Sequence, residues 1–197
     1  MLNAQQLREL PDDQVKEALS QLSPKQLESL HHDWSFWARP EQVEPKGDWN
    51  TWFINAGRGF GKTRAGVEWV REQVKKGHKR IAAVAATNSD IERVMVKGES
   101  GFLSVCWSGD KTYKGKEMGY PEWSPTKRTL TWANGAKVEF YSAEEPERLL
   151  ALSSLLLGVM SLLLGTKTLT LGTCFSSVSV WVSTLKYVSP LPLSPPS

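Results

Sequence analysis

The chain has 197 residues, enough for one domain with a sizeable hydrophobic core. Its formal net charge of +3 is too small to indicate a nucleic-acid partner by itself. Its two cysteines, Cys106 and Cys174, show neither metal-ligand spacing nor the pattern of a secreted disulfide framework, and the N-terminus has no apolar segment of the kind found in signal peptides. We therefore expect buried free thiols and a cytoplasmic setting.

The composition of the chain changes abruptly near residue 149. All 21 Asp and Glu residues lie at or before Glu147, whereas the segment from Leu149 to Ser197 carries only Lys167 and Lys186 as charges and contains 14 Leu and 10 Ser. Such a change at one point indicates two segments of different origin. We divide the chain into a helical N-terminal segment (1–45), a central domain (46–149) and a low-charge, poorly structured tail (150–197).

The N-terminal segment has the pattern of amphipathic helix from Asn3 to Leu30. The stretch Ser23-Pro24-Lys25-Gln26 combines a capping residue, a proline at the first helical position and a glutamine three residues after the cap, which predicts the start of a helix. Trp34, Phe36 and Trp37 follow. We interpret these aromatic side chains as packing residues in preference to a binding platform.

The middle of the chain alternates between strand and helix patterns. Thr51–Ala56 predicts a buried strand, and Gly57–Gly61 a turn that requires unusual backbone angles. A helix is predicted over Thr63–Lys76, ended by Gly77, and the apolar run Arg80–Ala86 predicts a second buried strand.

Further along, Thr87–Asp90 can cap a helix from Ile91 to about Lys97. Arg128–Trp132 and Lys137–Tyr141 flank Asn134-Gly135 and predict a β-hairpin. The order of strand, helix, strand and helix predicts an α/β fold with a doubly wound sheet.

The stretch A-G-R-G-F-G-K-T, from Ala56 to Thr63, resembles a phosphate-binding loop. The general pattern is G-x-x-x-x-G-K-[ST] between a strand and a helix; here Gly61-Lys62-Thr63 match, and Ala56 stands where the first glycine is expected. Backbone N–H groups from Gly57 to Thr63 would bind phosphates, Lys62 would reach the β and γ phosphates, and the Thr63 hydroxyl would bind Mg²⁺. The alternative is a glycine-rich turn with a chance match.

Arg58 lies inside this loop. An arginine at that place can contact the γ phosphate as charge develops there, like an arginine finger supplied by the same chain. A surface cation beside an anion site is the alternative, and the residues alone do not decide between the two.

Four stretches resemble the large terminase subunit, the ATPase that packages DNA into the proheads of tailed phages. They are D-W-S-F-W-A-R-P-E-Q (33–42), W-F-I-N-A-G-R-G-F-G-K-T-R-A-G-V-E-W-V-R (52–71), I-E-R-V-M-V-K-G-E-S-G-F-L (91–103) and Y-S-A-E-E-P-E-R-L (141–149). The resemblance implies a RecA-like P-loop ATPase core with a parallel sheet flanked by helices. It implies an ATP site formed by Gly57, Arg58, Gly59, Phe60, Gly61, Lys62, Thr63 and Gln42, with Lys62 and Arg58 as catalytic residues.

Within that site, the resemblance places Gln42 near the adenine; an ordinary loop glutamine is the alternative. ATP and Mg²⁺ are the implied cofactors. Double-stranded DNA, a small terminase subunit and a portal protein are the implied partners, in the cytoplasm of a bacterial host and without a membrane.

An ATPase of this kind also needs an apolar strand that ends in Asp, for Mg²⁺, followed by Glu, which activates the attacking water. No acidic residue follows Glu147. The expected core is therefore incomplete, and the nuclease domain of the family is missing as well. From these residues we expect MgATP binding with negligible hydrolysis.

A change of reading frame after about residue 149 accounts for this absence. If one base was lost there, Leu157–Ser161 can be read in the shifted frame as W-C-D-E, which is the missing acidic motif. At the break, Leu150–Ser153 can be read as R-G-P-Q, which continues the stretch E-R-L as the family does. The alternatives are a P-loop NTPase with a divergent second half, and a non-enzymatic protein attached to a membrane by Leu149–Gly165.

Overall fold

The computed structural model describes residues 4–47, 49, 51–145, 159–163 and 179–183. Within these residues the α-helices are α1 (Ala4–Leu7), α2 (Asp12–Ser20), α3 (Pro24–His31), α4 (Trp34–Trp37), α5 (Lys62–Lys76), α6 (Asn88–Asp90) and α7 (Phe102–Val105). A 3-10 turn covers Pro40–Gln42, and a π-helical segment covers Ile91–Val96. The strands are β1 (Thr51–Asn55), β2 (Arg80–Ala85), β3 (Glu122–Ser124), β4 (Thr129–Thr131), β5 (Lys137–Ser142), β6 (Val159–Leu163) and β7 (Ser179–Ser183).

Residues 4–31 form three separate short helices, α1 to α3, where the sequence pattern predicts a long amphipathic stretch. Prolines explain the division, since Pro11 stands before α2 and Pro24 begins α3. The predicted capping box is confirmed: the Ser23 hydroxyl accepts a hydrogen bond from the Gln26 backbone N–H at 3.4 Å, and the Gln26 side chain accepts one from the Ser23 backbone N–H at 2.9 Å.

The strands form one mixed sheet in the order β1-β7-β6-β2-β5-β4-β3. Strand β2 runs parallel to β5 and β6, whereas β7 lies antiparallel between β1 and β6. The protein is thus a mixed α/β fold: the pairs β2–β5 and β2–β6 are parallel, as expected, and the other neighbouring pairs are antiparallel. At β4 the reason is the short connection to β5, because a hairpin loop joins only antiparallel neighbours.

Two strands of the sheet come from the low-charge tail. Strands β6 and β7 lie between β1 and β2, at places where we expected the sheet to be incomplete. Their sequences, V-M-S-L-L and S-V-W-V-S, contain the apolar and β-branched residues that favour strands. The other tail residues, Cys174 among them, lie outside the described part of the chain. The expectation of a poorly structured tail is therefore not tested for those residues.

The hydrophobic core lies between the sheet and three parts of the chain. These are α5, the segment that follows β2, and the β4–β5 hairpin. On α5, Val67, Val70 and Val74 lie at helical spacing on one face and are each 0% exposed. Strand β2 is buried along its length after Arg80, while β5 alternates between buried and partly exposed residues. A central strand has residues covered on both faces, which explains why the pattern of β2 is a continuous apolar run.

The connections after β2 and β4 follow their sequence signals with small shifts. The Thr87 side chain caps α6, so the helix begins at Asn88, three residues before the predicted start at Ile91. Of the residues from Ala133 to Ala136 that we predict between the two strands, three form the loop, because the backbone N–H of Trp132 donates to the carbonyl of Ala136 at 2.9 Å. Gly135 is left-handed (φ 84°), as the third residue of such a loop requires.

Candidate functional site

A glycine-rich loop connects β1 to α5. The loop covers residues 56–61, and Gly59 (φ 76°) and Gly61 (φ 84°) have left-handed backbone angles. These angles favour glycine, because a side chain would meet the neighbouring carbonyl oxygen. The prediction of unusual backbone angles in this turn is confirmed at both positions.

The backbone N–H groups at the end of this loop and in the first turn of α5 lack partners among the described residues. Arg58 and Gly59 form a tight turn, but no N–H from Gly61 to Arg64 donates a hydrogen bond to a described residue, and Gly61 provides no side-chain cap for α5. The first N–H groups of any helix lack partners inside the helix and lie at the positive end of its dipole. A run of free donors at such a place is a physical basis for anion binding.

Lys62 provides a cation at the base of the loop. Its residue is 6% exposed, and its Nζ donates hydrogen bonds to the carbonyl oxygens of Ala56 at 2.6 Å and Gly57 at 2.5 Å. Burial lowers the pKa of Lys62, because removal of water disfavours the charged form. An anion bound beside Nζ would compensate for that lost hydration.

Gln42 supports the loop from the N-terminal segment. Its side-chain Nε2 donates to the carbonyl of Phe60 at 2.6 Å, and its Oε1 accepts the backbone N–H of Arg39 at 3.0 Å. A Cβ on Gly61 would lie 2.7 Å from the same Nε2. Gln42 is only 7% exposed, so the structure brings this predicted residue to the loop although it is 18 residues distant from Phe60 in the chain.

Arg39 is a residue of this site that sequence reasoning missed. Its Nη2 donates to the carbonyl of Phe60 at 2.6 Å, and its guanidinium carbon lies 4.8 Å from the centre of the Phe60 ring. Arg39 and Gln42 thus both donate hydrogen bonds to the Phe60 carbonyl. The sequence offered one local sign of its role: Arg39 directly precedes Pro40, the first residue of the 3-10 turn that contains Gln42.

The two remaining predicted residues lie on either side of Lys62 in the chain. Arg58 is exposed in the loop, and its side chain has no hydrogen-bond or ion-pair partner among the described residues. Thr63 is partly buried in the first turn of α5. The loop and its surroundings therefore combine three cations, Arg39, Arg58 and Lys62, that have no carboxylate partner among the described residues.

A cavity of about 570 Å³ lies between α5, α4 and the segment around Gln42. Its lining includes three tryptophans, Trp34, Trp52 and Trp69, together with Gln42. Gln42 contacts both the cavity and the glycine-rich loop, although no residue of the loop itself lines the cavity. The volume lies in the range of small-molecule sites, and the lining combines the tryptophan rings with charged side chains such as Glu68, Arg71 and Glu72.

A buried ion-pair network fixes the other half of α5. Arg71, which is 2% exposed, binds both carboxylate oxygens of Asp110 at 2.5 Å and one of Glu68 at 3.0 Å. Burial raises the pKa of Asp110, but the hydrogen bond and charge of Arg71 outweigh that effect, so the pKa is lowered overall. Nothing local in the sequence indicated this pair, since its members are 39 residues apart.

Cys106 is buried beside this network and is a free thiol, as expected. Burial raises its pKa to about 12. Among the described residues no group of three or more His, Cys, Asp or Glu side chains could hold a metal ion. None of the helices in that part of the chain has the length and apolar character needed to cross a bilayer.

We compared the chain with protein-family models, with curated proteins and with solved structures. None of the three comparisons finds a match. The functional interpretation therefore depends on the geometry of the loop, the cations around it and the adjoining cavity.

Proposed function

We propose that this chain is the ATP-binding part of a phage DNA-packaging terminase large subunit, with a core of the RecA-like P-loop class. The observation that carries the proposal is the run of N–H groups from Gly61 to Arg64, at the N-terminus of α5, that have no partner among the described residues, with Lys62 buried at its base. Free amides, a helix dipole and a desolvated lysine favour a polyphosphate. The intact ancestor would couple ATP hydrolysis to DNA translocation, with the small subunit and the portal as partners.

Each predicted residue has a place in this proposal. Lys62 exchanges its two backbone carbonyls for the β and γ phosphates, and the Thr63 hydroxyl would hold Mg²⁺, which neutralises phosphate charge when bound. Arg58 is free to contact the γ phosphate. Gln42 and the adjoining tryptophan-lined cavity receive the adenine base, whose flat ring suits an aromatic lining.

We also propose that hydrolysis is negligible. Strand β6 runs parallel to β2, so its C-terminal end lies at the same edge of the sheet as that of β2, where α6 begins. A catalytic carboxylate would be expected at that end, yet the sequence of β6, V-M-S-L-L, contains none. Asp90 and Glu144 follow β2 and β5, which are three and four strand positions away from β1. At about 4.8 Å per strand these positions lie roughly 14 to 19 Å from the line of β1, too far to activate a water at the γ phosphate.

The segment that forms β6 overlaps the residues whose shifted reading contains the acidic pair. We therefore propose a lost base after codon 149 as the origin of the tail. Sequencing the gene from codon 145 tests this directly, because the shifted frame must stay open. A stop codon in the shifted frame soon after codon 150 would contradict it.

ATP binding is tested by titration of a fluorescent ATP analogue with Mg²⁺ on the wild-type chain and on Lys62→Ala. The matched control is Lys16→Ala, an exposed lysine on α2. We expect saturable binding that Lys62→Ala abolishes and Lys16→Ala preserves, with no turnover. Equal binding by all three proteins would refute the proposal. Turnover of about 1 to 100 per second, lost in Lys62→Ala, would instead indicate a complete NTPase.

A further inference from the structure

A small hairpin projects beside the C-terminal end of α5, remote from the glycine-rich loop. Its two sides meet at an isolated bridge between Lys111 and Glu117. The backbone N–H of Thr112 donates to the carbonyl of Lys116 at 2.8 Å, and the N–H of Lys116 donates to the Thr112 hydroxyl at 3.0 Å. Paired main-chain groups give this hairpin a defined shape, so its side chains have defined positions.

Backbone hydrogen bonds join the hairpin to its surroundings. The N–H of Tyr113 donates to the carbonyl of Lys75 at 3.1 Å, near the end of α5. The N–H of Ala133 donates to the carbonyl of Met118 at 3.1 Å, which ties the other side of the hairpin to the β4–β5 loop. One continuous surface therefore includes the end of α5, the hairpin and the β4–β5 loop.

The start of two parallel strands extends this surface. The backbone N–H of Lys137 donates to the carbonyl of Lys79 at 2.8 Å, so the residues that begin β5 and precede β2 are neighbours. The Nζ of Lys79 donates to the carbonyl of Asn134 in the β4–β5 loop at 2.7 Å. Lys79 and Lys137 are both exposed.

Five lysines on this surface have no carboxylate partner among the described residues: Lys79, Lys111, Lys114, Lys116 and Lys137. All five are exposed, and we call them the lysine surface. The nearby acids are mostly engaged, since Asp110 binds Arg71, Glu44 binds Lys76 and Glu139 binds Arg80. Two carboxylates there have no ion-pair partner among the described residues: Glu117, across the isolated bridge from Lys111, and Glu72, which accepts a hydrogen bond from the Tyr113 hydroxyl. The five lysines still outnumber them.

We propose that the lysine surface binds the phosphate backbone of duplex DNA. Lysines act as flexible point charges for phosphates, and contacts to the backbone carry no sequence information, which suits a protein that must hold DNA of any sequence. The choice of duplex DNA as the partner rests on the proposed function. Helix α5 has 15 residues, about 22 Å in length, so nucleotide and DNA bind near opposite ends of one helix.

The test is binding of a fluorescein-labelled 20-base-pair duplex to the full chain, measured by anisotropy from 50 to 300 mM NaCl without nucleotide. The surface variant replaces Lys111, Lys114 and Lys116 by Gln. The control variant replaces Lys16, Lys25 and Lys127 by Gln, three exposed lysines with no carboxylate partner among the described residues, for the same change in charge. Circular dichroism confirms folding, and a second variant, Lys79→Gln with Lys137→Gln, probes the same surface from other elements.

Because each phosphate contact contributes about 0.9 to the slope of log affinity against log salt, we expect the surface variant to lose about 2.7 from that slope and the second variant about 1.8. The control variant keeps the wild-type slope. Three results would overturn the proposal. The slope could fall equally in the surface and control variants, or it could fall in neither. The lysines could also prove to bind phosphatidylserine vesicles while the protein does not bind DNA. ATP binding, which depends on Lys62, is a separate measurement, so either proposal can fail while the other stands.

Discussion

The side-chain Nε2 of Gln42 lies 2.7 Å from the place that a Cβ on Gly61 would occupy. That glycine is therefore required twice, once for its left-handed backbone (φ 84°) and once for the space that Gln42 fills. Gly59 has a left-handed backbone (φ 76°) but open space around it, and Gly57 has neither restriction. A comparison of substitutions at these three glycines therefore distinguishes the cost of a left-handed backbone from the cost of a steric clash.

Alanine substitutions at these positions should lower the free energy of unfolding in the order Gly61, Gly59, Gly57, with the largest loss at Gly61. A left-handed alanine costs about 1 to 2 kcal/mol, and displacement of Gln42 from the Phe60 carbonyl adds about 0.5 to 1.5 kcal/mol. Urea denaturation measures the three losses. In a Gln42→Ala background the extra loss at Gly61 should disappear; if it persists, Gln42 is not its cause.

Asp110→Asn should lower the free energy of unfolding by about 3 to 5 kcal/mol, because it leaves a buried guanidinium without its bidentate partner. The matched control is Glu139→Gln, which breaks the Arg80–Glu139 pair at 3.0 Å on the surface and should cost less than about 1 kcal/mol. Thermal or urea denaturation compares the two variants. Similar small losses in both would contradict a structural role for the Arg71–Asp110 pair.

Acid should destabilise the wild-type protein more steeply than Asp110→Asn. The pKa of Asp110 is lowered in the folded state, so its stabilising contribution is complete above the unfolded value of about 3.9 and is lost as the pH falls through the lower folded value. The free energy of unfolding, measured by urea titration between pH 5 and pH 2.5, gives the two slopes. Parallel slopes below pH 4 would show that Asp110 does not contribute.

Cys106 should resist alkylation in the folded protein. With a pKa of about 12 and only 4% exposure, it has almost no thiolate at pH 8 and little access to reagent. Treatment with iodoacetamide followed by peptide mapping should label the Cys106 peptide quickly in 8 M urea and slowly without urea. Equal labelling in both conditions would mean that the core around α7 opens readily.

The sequence predicted the features of this fold that depend on residues close together in the chain, such as helix ends and a hairpin turn. Ser23 and Gln26 predicted the start of α3, Gly77 the end of α5, and Asn134-Gly135 the β4–β5 hairpin, because each effect acts within a few residues. The boundaries moved by up to three residues, as at α6. The glycine-rich loop itself was found from its spacing.

Contacts between distant residues could not be predicted in the same way. Arg39 reaches the carbonyl of Phe60 across 21 residues, and Arg71 reaches Asp110 across 39. Such pairs depend on how α5 packs on its neighbours, and no residue type or spacing announces them. The antiparallel place of β7 is a further example, because the β-branched and aromatic residues of S-V-W-V-S favour a strand but do not determine which strands lie beside it.

The pairing of β1 with β7 has a consequence for the order in which the protein is made. Thr51 pairs with Ser183, so β1 waits for a neighbour that is synthesised 132 residues later (183 − 51). At about 5 to 20 residues per second, the strand that precedes the glycine-rich loop spends roughly 7 to 26 seconds as an unpaired edge. During that interval its main-chain groups are open to other chains. A product that ends before residue 179 therefore has its glycine-rich loop next to an unpaired strand edge.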